Sequence, residues 1–155
     1  MNELGVSPNP GQDLDSQLRH ALEEAGWRYT RQRAAVYQFL HSTTEHPTAE
    51  EVFSTVRQTI PSISLATVYK ALEALVDAGV AAKLSSTDGP ARYDCRMDSH
   101  YHVRCLQTGR IHDLPTPFDP ALLDKLDPKL VESLERQGFH VTAYRLEVVG
   151  YFPEK

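Results

Sequence analysis

Apolar positions along the first half of the chain recur with helical spacing. Leu14, Leu18, Leu22 and Ala25 fall on one helix face, and Gly26 is a plausible stop. Thr30 is placed to cap a second helix whose stripe is Val36, Phe39 and Leu40. Thr48 and Glu51 read as the reciprocal pair of a capping box. They open a third helix that buries Val52, Phe53 and Val56, with Pro61 in the turn beyond it. Ser64 then caps a fourth helix carrying Leu65, Val68, Leu72, Leu75 and Val76 on one side, and Gly79 ends it.

The period then changes. Val80 to Leu84 and Ala91 to Cys95 read as short strands separated by the turn-rich Ser85–Pro90. Helices followed by a β-hairpin are the order of a winged helix-turn-helix. Further strands are expected at His100 to Cys105, Arg110 to Leu114 and His140 to Val149, with a helix over Pro128 to Gln137 and Gly138 as its C-terminal cap. The expected class is α+β: a winged helix-turn-helix DNA-binding domain with its hinge over 15–90, and an α/β dimerisation and metal-binding domain over 91–155. There are no internal repeats.

Composition narrows the function classes. Within 155 residues no apolar run approaches the ~20 residues that span a bilayer, so no membrane role is expected. Met1 to Gly11 lacks the basic start and apolar stretch of a signal peptide, and residues 1–14 read as a flexible tail. The two cysteines, Cys95 and Cys105, are too few for a disulfide framework, so a reducing cytoplasm is expected. The net charge of −5 requires that any DNA binding use local basic groups, in two copies, rather than a basic surface overall.

Two constellations carry chemistry. The fourth helix hides its apolar stripe and turns Ala66, Thr67, Tyr69, Lys70 and Glu73 outward, behind the capping Ser64. Hydroxyls and a lysine reach phosphates and base edges, and a methyl or ring touches a thymine methyl. Arg28, Arg31 and Arg33 flank the second helix, where they are placed to grip the DNA backbone or minor groove. The same pattern also describes a solvated helix face with scattered charges.

His100 and His102 alternate along a strand, so both imidazoles lie on one face, and Asp113 on the next strand can lie opposite them. Asp94 is on the strand just upstream, and His46 precedes Pro47 at the mouth of the third helix. Imidazole and carboxylate suit a divalent ion such as Fe²⁺, Mn²⁺ or Zn²⁺. Spacing alone does not join His46 and Asp94 to the other three.

The runs Arg28-Tyr-Thr-Arg-Gln-Arg33, His46-Pro-Thr-Ala-Glu50, Ser64-Leu-Ala-Thr-Val-Tyr69, Ala91-Arg-Tyr-Asp94, His100-Tyr-His102 and Gly138-Phe-His-Val-Thr-Ala-Tyr-Arg-Leu-Glu147 together resemble the ferric-uptake-regulator (Fur) family. They stand in the family's order over nearly the whole chain past residue 15. The resemblance implies a homodimeric, metal-dependent repressor that binds a double-stranded DNA operator, with Tyr69 at a base-contacting position. It implies a regulatory site of His46, Asp94, His100, His102 and Asp113 between the two domains, holding Fe²⁺ or Mn²⁺, with Zn²⁺ possible. Asp94 with Asp113 looks most like the peroxide-sensing (PerR) branch, whereas iron-sensing relatives tend to carry Glu at the position of Asp113. Zinc-sensing relatives tend to have a Cys near Cys95, which is present, and an Asp where this chain has Ala82. Asp94 and Cys95 are neighbours on a strand and face opposite ways, so only one serves as a ligand.

The chain departs from the family pattern at its structural zinc. Many relatives hold zinc with two CxxC pairs. Here Cys105 stands at the first position and Thr108 at the second, and Phe152 and Lys155 replace the other pair, so that site is expected to be absent. Tyr101 and Tyr144 replace the ligands of a further metal site seen in some relatives, and His112 and His140 match no family ligand.

The implied mechanism is a population shift. Metal tying His46 to ligands across the hinge favours a closed state whose recognition helices lie about one DNA turn apart, ~34–36 Å. In the peroxide-sensing branch, peroxide reduced by Fe²⁺ at the site oxidises a ligating histidine and repression ends. The rivals are an iron- or zinc-responsive repressor without peroxide sensing, and a metalloenzyme with Glu45 or Glu50 as a base. Five protein ligands leave little room for water and substrate, and an enzyme has no use for the Thr67-Tyr69-Lys70 face. A regulator rather than an enzyme is therefore expected.

Overall fold

A computed structural model describes residues 10–86 and 89–153. The proposed tail up to residue 9, part of the hairpin turn (Thr87 and Asp88) and Lys155 lie outside the described residues. The chain divides into two compact units, Met1–Met97 and Asp98–Lys155.

In the first unit, α1 (Pro10–Glu24), α2 (Arg31–Ser42), α3 (Ala49–Val56) and α4 (Leu65–Asp77) precede a two-stranded hairpin, β1 (Ala82–Leu84) and β2 (Arg92–Asp94). The helix starts follow from the side chains expected to cap them. Thr30, Thr48 and Ser64 each accept a hydrogen bond from the backbone N–H three residues on, and the Thr48–Glu51 capping box is complete. The helix stops are conformational. Gly26 and Gly79 adopt φ of 82° and 73°, left-handed backbone that favours glycine, and Val80 N–H closes α4 on Leu75 O at 3.1 Å.

Leu18 and Leu22 of α1, Val36 and Leu40 of α2, Val52 and Val56 of α3, and Val68, Leu72 and Leu75 of α4 form one apolar core. Phe39 and Phe53 are only half-buried, and Tyr37 and Ala34 take the inward positions on α2. Arg57 lies over the Phe53 ring at 5.5 Å, covering the part the core does not. Helix α1 starts at Pro10, inside the stretch that reads as tail, since a proline's fixed φ suits the first helical position.

In the second unit, β3 (Tyr101–Cys105) pairs antiparallel with β4 (Ile111–Leu114) and parallel with β5 (Glu147–Gly150), in the order β4-β3-β5. Two short helices, α5 (Leu122–Leu126) and α6 (Leu130–Arg136), lie between β4 and β5 in sequence. Helix α5 is not foreseen by the apolar pattern, because its 5 residues make little more than one turn, too short for a helical period to show. The strand expected from His140 forms only at Glu147. A strand needs a ladder, and the partner β3 begins at Tyr101, where His102 N–H meets Leu146 O at 3.3 Å, so 140–145 has no strand beside it among the described residues.

Candidate functional site

The first unit contributes two candidate metal ligands. His46 and Pro47 lead into the Thr48 cap of α3, and β2 is laced across them. Tyr93 N–H donates to Pro47 O at 2.9 Å, and Thr48 bridges Arg92. The buried Arg92 guanidinium donates to His46 O at 2.9 Å and lies 3.4 Å from Glu51 Oε2. This lacing holds the residue after Tyr93 beside the residue before Pro47, so His46 Nε2 and Asp94 Oδ2 stand 3.6 Å apart, both buried. The other Asp94 oxygen accepts from Arg96 N–H at 2.9 Å, which fixes the carboxylate. Cys95 faces the other way and donates its thiol to Leu40 O at 3.2 Å, as alternation along the strand requires.

The second unit contributes three. His102 and Asp113 are cross-strand partners in the β3–β4 ladder, and His100 immediately precedes β3 on the same face. Asp113 Oδ1 lies 3.2 Å from His100 Nε2 and 3.8 Å from His102 Nε2, and the two imidazole centroids are 4.5 Å apart. His100 Nδ1 lies 2.6 Å from Asp98 O, and a carbonyl only accepts, so Nδ1 carries a proton. In the neutral ring Nε2 then presents its lone pair toward Asp113. A lone pair facing a carboxylate is unfavourable unless a cation or a proton lies between them. Two donors of one ion bound at ~2.1 Å stand ~3.0–3.4 Å apart in octahedral or tetrahedral geometry. The His100–Asp113 separation is of that size, and the other two pairs need closures of a few tenths of an ångström. The donor set in each unit therefore fits a divalent ion, and neither set includes a thiolate.

The nucleic-acid candidates all lie in the first unit. Tyr69 and Lys70 are exposed on α4, with Ala66 beside them. Ser64 and Thr67 are engaged in the cap, with Ser64 Oγ accepting from Thr67 N–H at 3.1 Å and lying 2.9 Å from its hydroxyl. Arg28 and Arg31 are exposed. Arg33 turns inward on its own segment, donating to Arg28 O at 2.6 Å with its guanidinium 4.9 Å from the Trp27 ring centroid. It organises the arginine cluster rather than extending it.

Two features were not legible in the sequence. The Tyr69 hydroxyl donates to Glu50 Oε1 at 3.0 Å, and Arg92 ties β2 to α3. Both join residues distant along the chain, and no local pattern signals such a pair. Tyr101 and Tyr144, which stand where relatives carry ligands, form a phenol cluster. Their hydroxyls are 2.6 Å apart, Tyr144 donates to Asp119 O, and Asp119 N–H donates to Tyr101 Oη at 2.9 Å. Partial burial and then the Tyr101 hydroxyl push the Tyr144 phenol up to about 12. His112 is half-buried with its ring 6.3 Å from Phe152, and His140 is exposed.

The family model described as "Ferric uptake regulator family" matches residues 24–149. A peroxide-responsive repressor, PerR, from Staphylococcus aureus (strain USA300) is 34% identical over 134 residues, which is 86% of each chain. Among solved structures, a zinc-bound manganese uptake regulator superposes with a TM-score of 0.65 at 28% identity, covering 88% of this chain and 99% of that one. The Campylobacter jejuni peroxide stress regulator gives a TM-score of 0.57 at 28% identity over 90% of this chain and 96% of its own.

Proposed function

The chain belongs to the ferric uptake regulator family, and we propose that within this family of metal-responsive regulators it is a DNA-binding repressor that senses peroxide through a thiolate-free metal site. The observation that carries the reading is the convergence of His100, His102 and Asp113 on one face of the β3–β4 ladder, matched by the buried His46–Asp94 pair. On this reading His46, Asp94, His100, His102 and Asp113 all serve one regulatory ion, as the family resemblance implies. Each unit alone offers too few protein donors for the five- or six-coordinate shell that Fe²⁺ and Mn²⁺ commonly adopt. Asp94 and Asp113 balance the ion's charge, and the His100 Nδ1–H···Asp98 O bond orients that ring.

Similarity to a peroxide-responsive repressor and to a peroxide stress regulator supports the peroxide branch. Bound Fe²⁺ would supply one-electron reduction of peroxide, chemistry that Mn²⁺ does not drive readily. The expected target of the oxidation is the imidazole of His46 or His100. The chain is modified in sensing and does not turn over. Tyr69, Ala66 and Lys70 read the operator, Ser64 and Thr67 shape the start of that helix, and Arg28 and Arg31 serve the DNA backbone from the segment that Arg33 organises. Two copies associate through the exposed edge of β5.

The test uses a Cys95→Ser, Cys105→Ser double variant, so that thiol oxidation cannot contribute. Loaded with Fe²⁺, it should lose DNA binding on peroxide treatment, with one added oxygen on His46 or His100 by peptide mass spectrometry. Loaded with Mn²⁺, it should stay bound. An Fe²⁺ form that keeps its DNA and unmodified histidines would make the protein a metal sensor only.

A further inference from the structure

The Tyr69–Glu50 hydrogen bond is exposed and lies outside the apolar core of the first unit. Tyr69 lies off the buried stripe of α4 and is 45% exposed. Glu50 is exposed in the first turn of α3. Its neighbour Glu51 performs the structural tasks there, accepting from the capping Thr48 N–H at 2.9 Å and facing Arg92. On its other side the Tyr69 ring borders an open cleft of about 380 Å³, lined also by Lys70, Lys83 and Tyr93 between α4 and the hairpin. The ring thus has space to swing away, and the bond to Glu50 is what holds it on the α3 side. The proton stays with the phenol: the hydrogen bond to Glu50 raises Tyr69 above the usual tyrosine value, and Tyr93 is raised first by its burial and then by these same two groups.

We propose that Glu50 is a specificity-determining residue of the DNA-reading face, acting as a positioning residue through Tyr69. The inference rests on the reading of α4 as the recognition helix. A carboxylate only accepts, so it takes the single hydroxyl proton of Tyr69. Toward DNA the phenolic oxygen is then an acceptor alone. In the major groove the complementary donors are the amino groups of adenine and cytosine, whereas guanine O6 and N7 and thymine O4 are acceptors and are rejected. Phosphate oxygens are acceptors too, so the arrangement turns Tyr69 from the backbone toward base edges. Were Glu50 absent, the hydroxyl would rotate and donate or accept as the base demanded, and the discrimination would be lost. Glu50 also repels phosphate through its charge, but that effect weakens every sequence alike.

The experiment is selection from a randomised double-stranded DNA pool with the full-length Mn²⁺-loaded protein, its fold checked by circular dichroism. The wild type, Tyr69→Phe, Glu50→Ala and Glu50→Gln are compared. The position read by Tyr69 is the one whose preference collapses in Tyr69→Phe, and the wild type should favour adenine or cytosine there. Glu50→Ala should lower that preference by roughly 2- to 10-fold, the worth of one hydrogen bond, while other positions hold. Glu50→Gln keeps an acceptor oxygen without the charge. It should retain the preference and bind all sequences more tightly. If Glu50→Ala enriches the same motif with the same weights, Glu50 acts only through its charge and the proposal is overturned. If Glu50→Gln loses the preference as fully as Glu50→Ala, the proton-accepting role is overturned. If the wild type enriches no motif at all, the recognition-helix reading falls and this inference with it.

Discussion

The two units are built on opposite plans. In the first, four helices and a hairpin enclose a continuous apolar core from Leu18 to Tyr93, with Leu22, Val36, Val52, Val68, Leu72 and Leu75 essentially inaccessible. In the second, Tyr101, Cys105 and Ile111 are the buried apolar residues among those described, and α5 and α6 bury none. Its large apolar side chains face outward instead: Val148 and Val149 on β5, Tyr151 and Phe152 just beyond it, and Phe139 after α6. The first unit is stabilised by its own interior. The second relies on strand pairing, on the Tyr101–Tyr144–Asp119 cluster, and on apolar surface that suits a second copy. The candidate ligands are divided between them, a buried pair on the well-packed unit and a more open trio on the lean one.

The sharpest way to break this contrast is to remove one ligand from each unit. Asp113→Ala should abolish metal-dependent DNA binding, because both His100 and His102 lose the carboxylate they face. The dimer should persist in sedimentation. His46→Ala should behave differently: if the proposed five residues share one ion, four groups remain to bind it, so calorimetry should still register one ion per chain while metal no longer promotes DNA binding. Normal metal-dependent DNA binding by His46→Ala would mean the ion does not act through the first unit.

Next come two substitutions that test where stability resides. Leu72→Ala opens a cavity in the first core and should cost ~2–5 kcal/mol in denaturant unfolding. Val149→Asp, on an exposed strand edge, should leave unfolding of the first unit unchanged. If β5 joins two copies, it should dissociate the dimer, because an unpaired carboxylate would be buried there. A Val149→Asp dimer as tight as the wild type would move the interface elsewhere.

How much was legible in the sequence follows the same division. The first unit was readable because burial there is periodic and helix ends are marked locally: Thr30, Thr48, Ser64, Gly26 and Gly79 all act as their types suggest. In the second unit the strands bearing His102 and Asp113 were found, since alternation and turn residues mark them. Helix α5 and the true start of β5 were not, because five residues are too few to show a helical period and a strand's extent depends on its partner. At the site, the His100–His102 pair was evident from spacing, and the facing of Asp113 needed the register. His46 beside Asp94 depended on Arg92 and Tyr93 lacing two distant segments, which no local pattern encodes. The matching motifs of a known family suggested that pair in advance.

A smaller effect is expected from the phenol cluster. Tyr144→Phe removes the hydroxyl that meets Tyr101 and Asp119 O. The loss should be small, since the position is only half-buried and water replaces part of the bonding. Hydrogen exchange should show it in β3 and around Asp119, with the first unit unaffected. Faster exchange spread over α2 and α4 as well would mean the units share their stability.

The smallest effect concerns Cys105, the last residue of β3, where the tight turn to β4 begins. Thr108 stands where a zinc-binding relative would place a second thiolate, and it donates a hydrogen bond to the sulfur instead. That hydroxyl is the main cause, with the backbone N–H groups of Thr108, Phe152 and Gln107 adding to it, that holds the thiol down from 9.0 to about 7. All these donors favour the thiolate. Between pH 7 and 9 the folded chain therefore binds fewer protons here than the unfolded chain, and stability from this group rises with pH across that window. It is fully present above the unfolded value and is lost as pH falls through about 7. Thiolate absorbance at 240 nm, followed in a Cys95→Ser background, should titrate with a midpoint near 7. Thr108→Val deletes the largest cause and should move that midpoint up toward the ordinary thiol value, flattening the rise in stability. A midpoint that stays near 7 in Thr108→Val would assign the effect to the backbone of the turn, and a wild-type midpoint near 9 would show that the sulfur is not held by these donors at all.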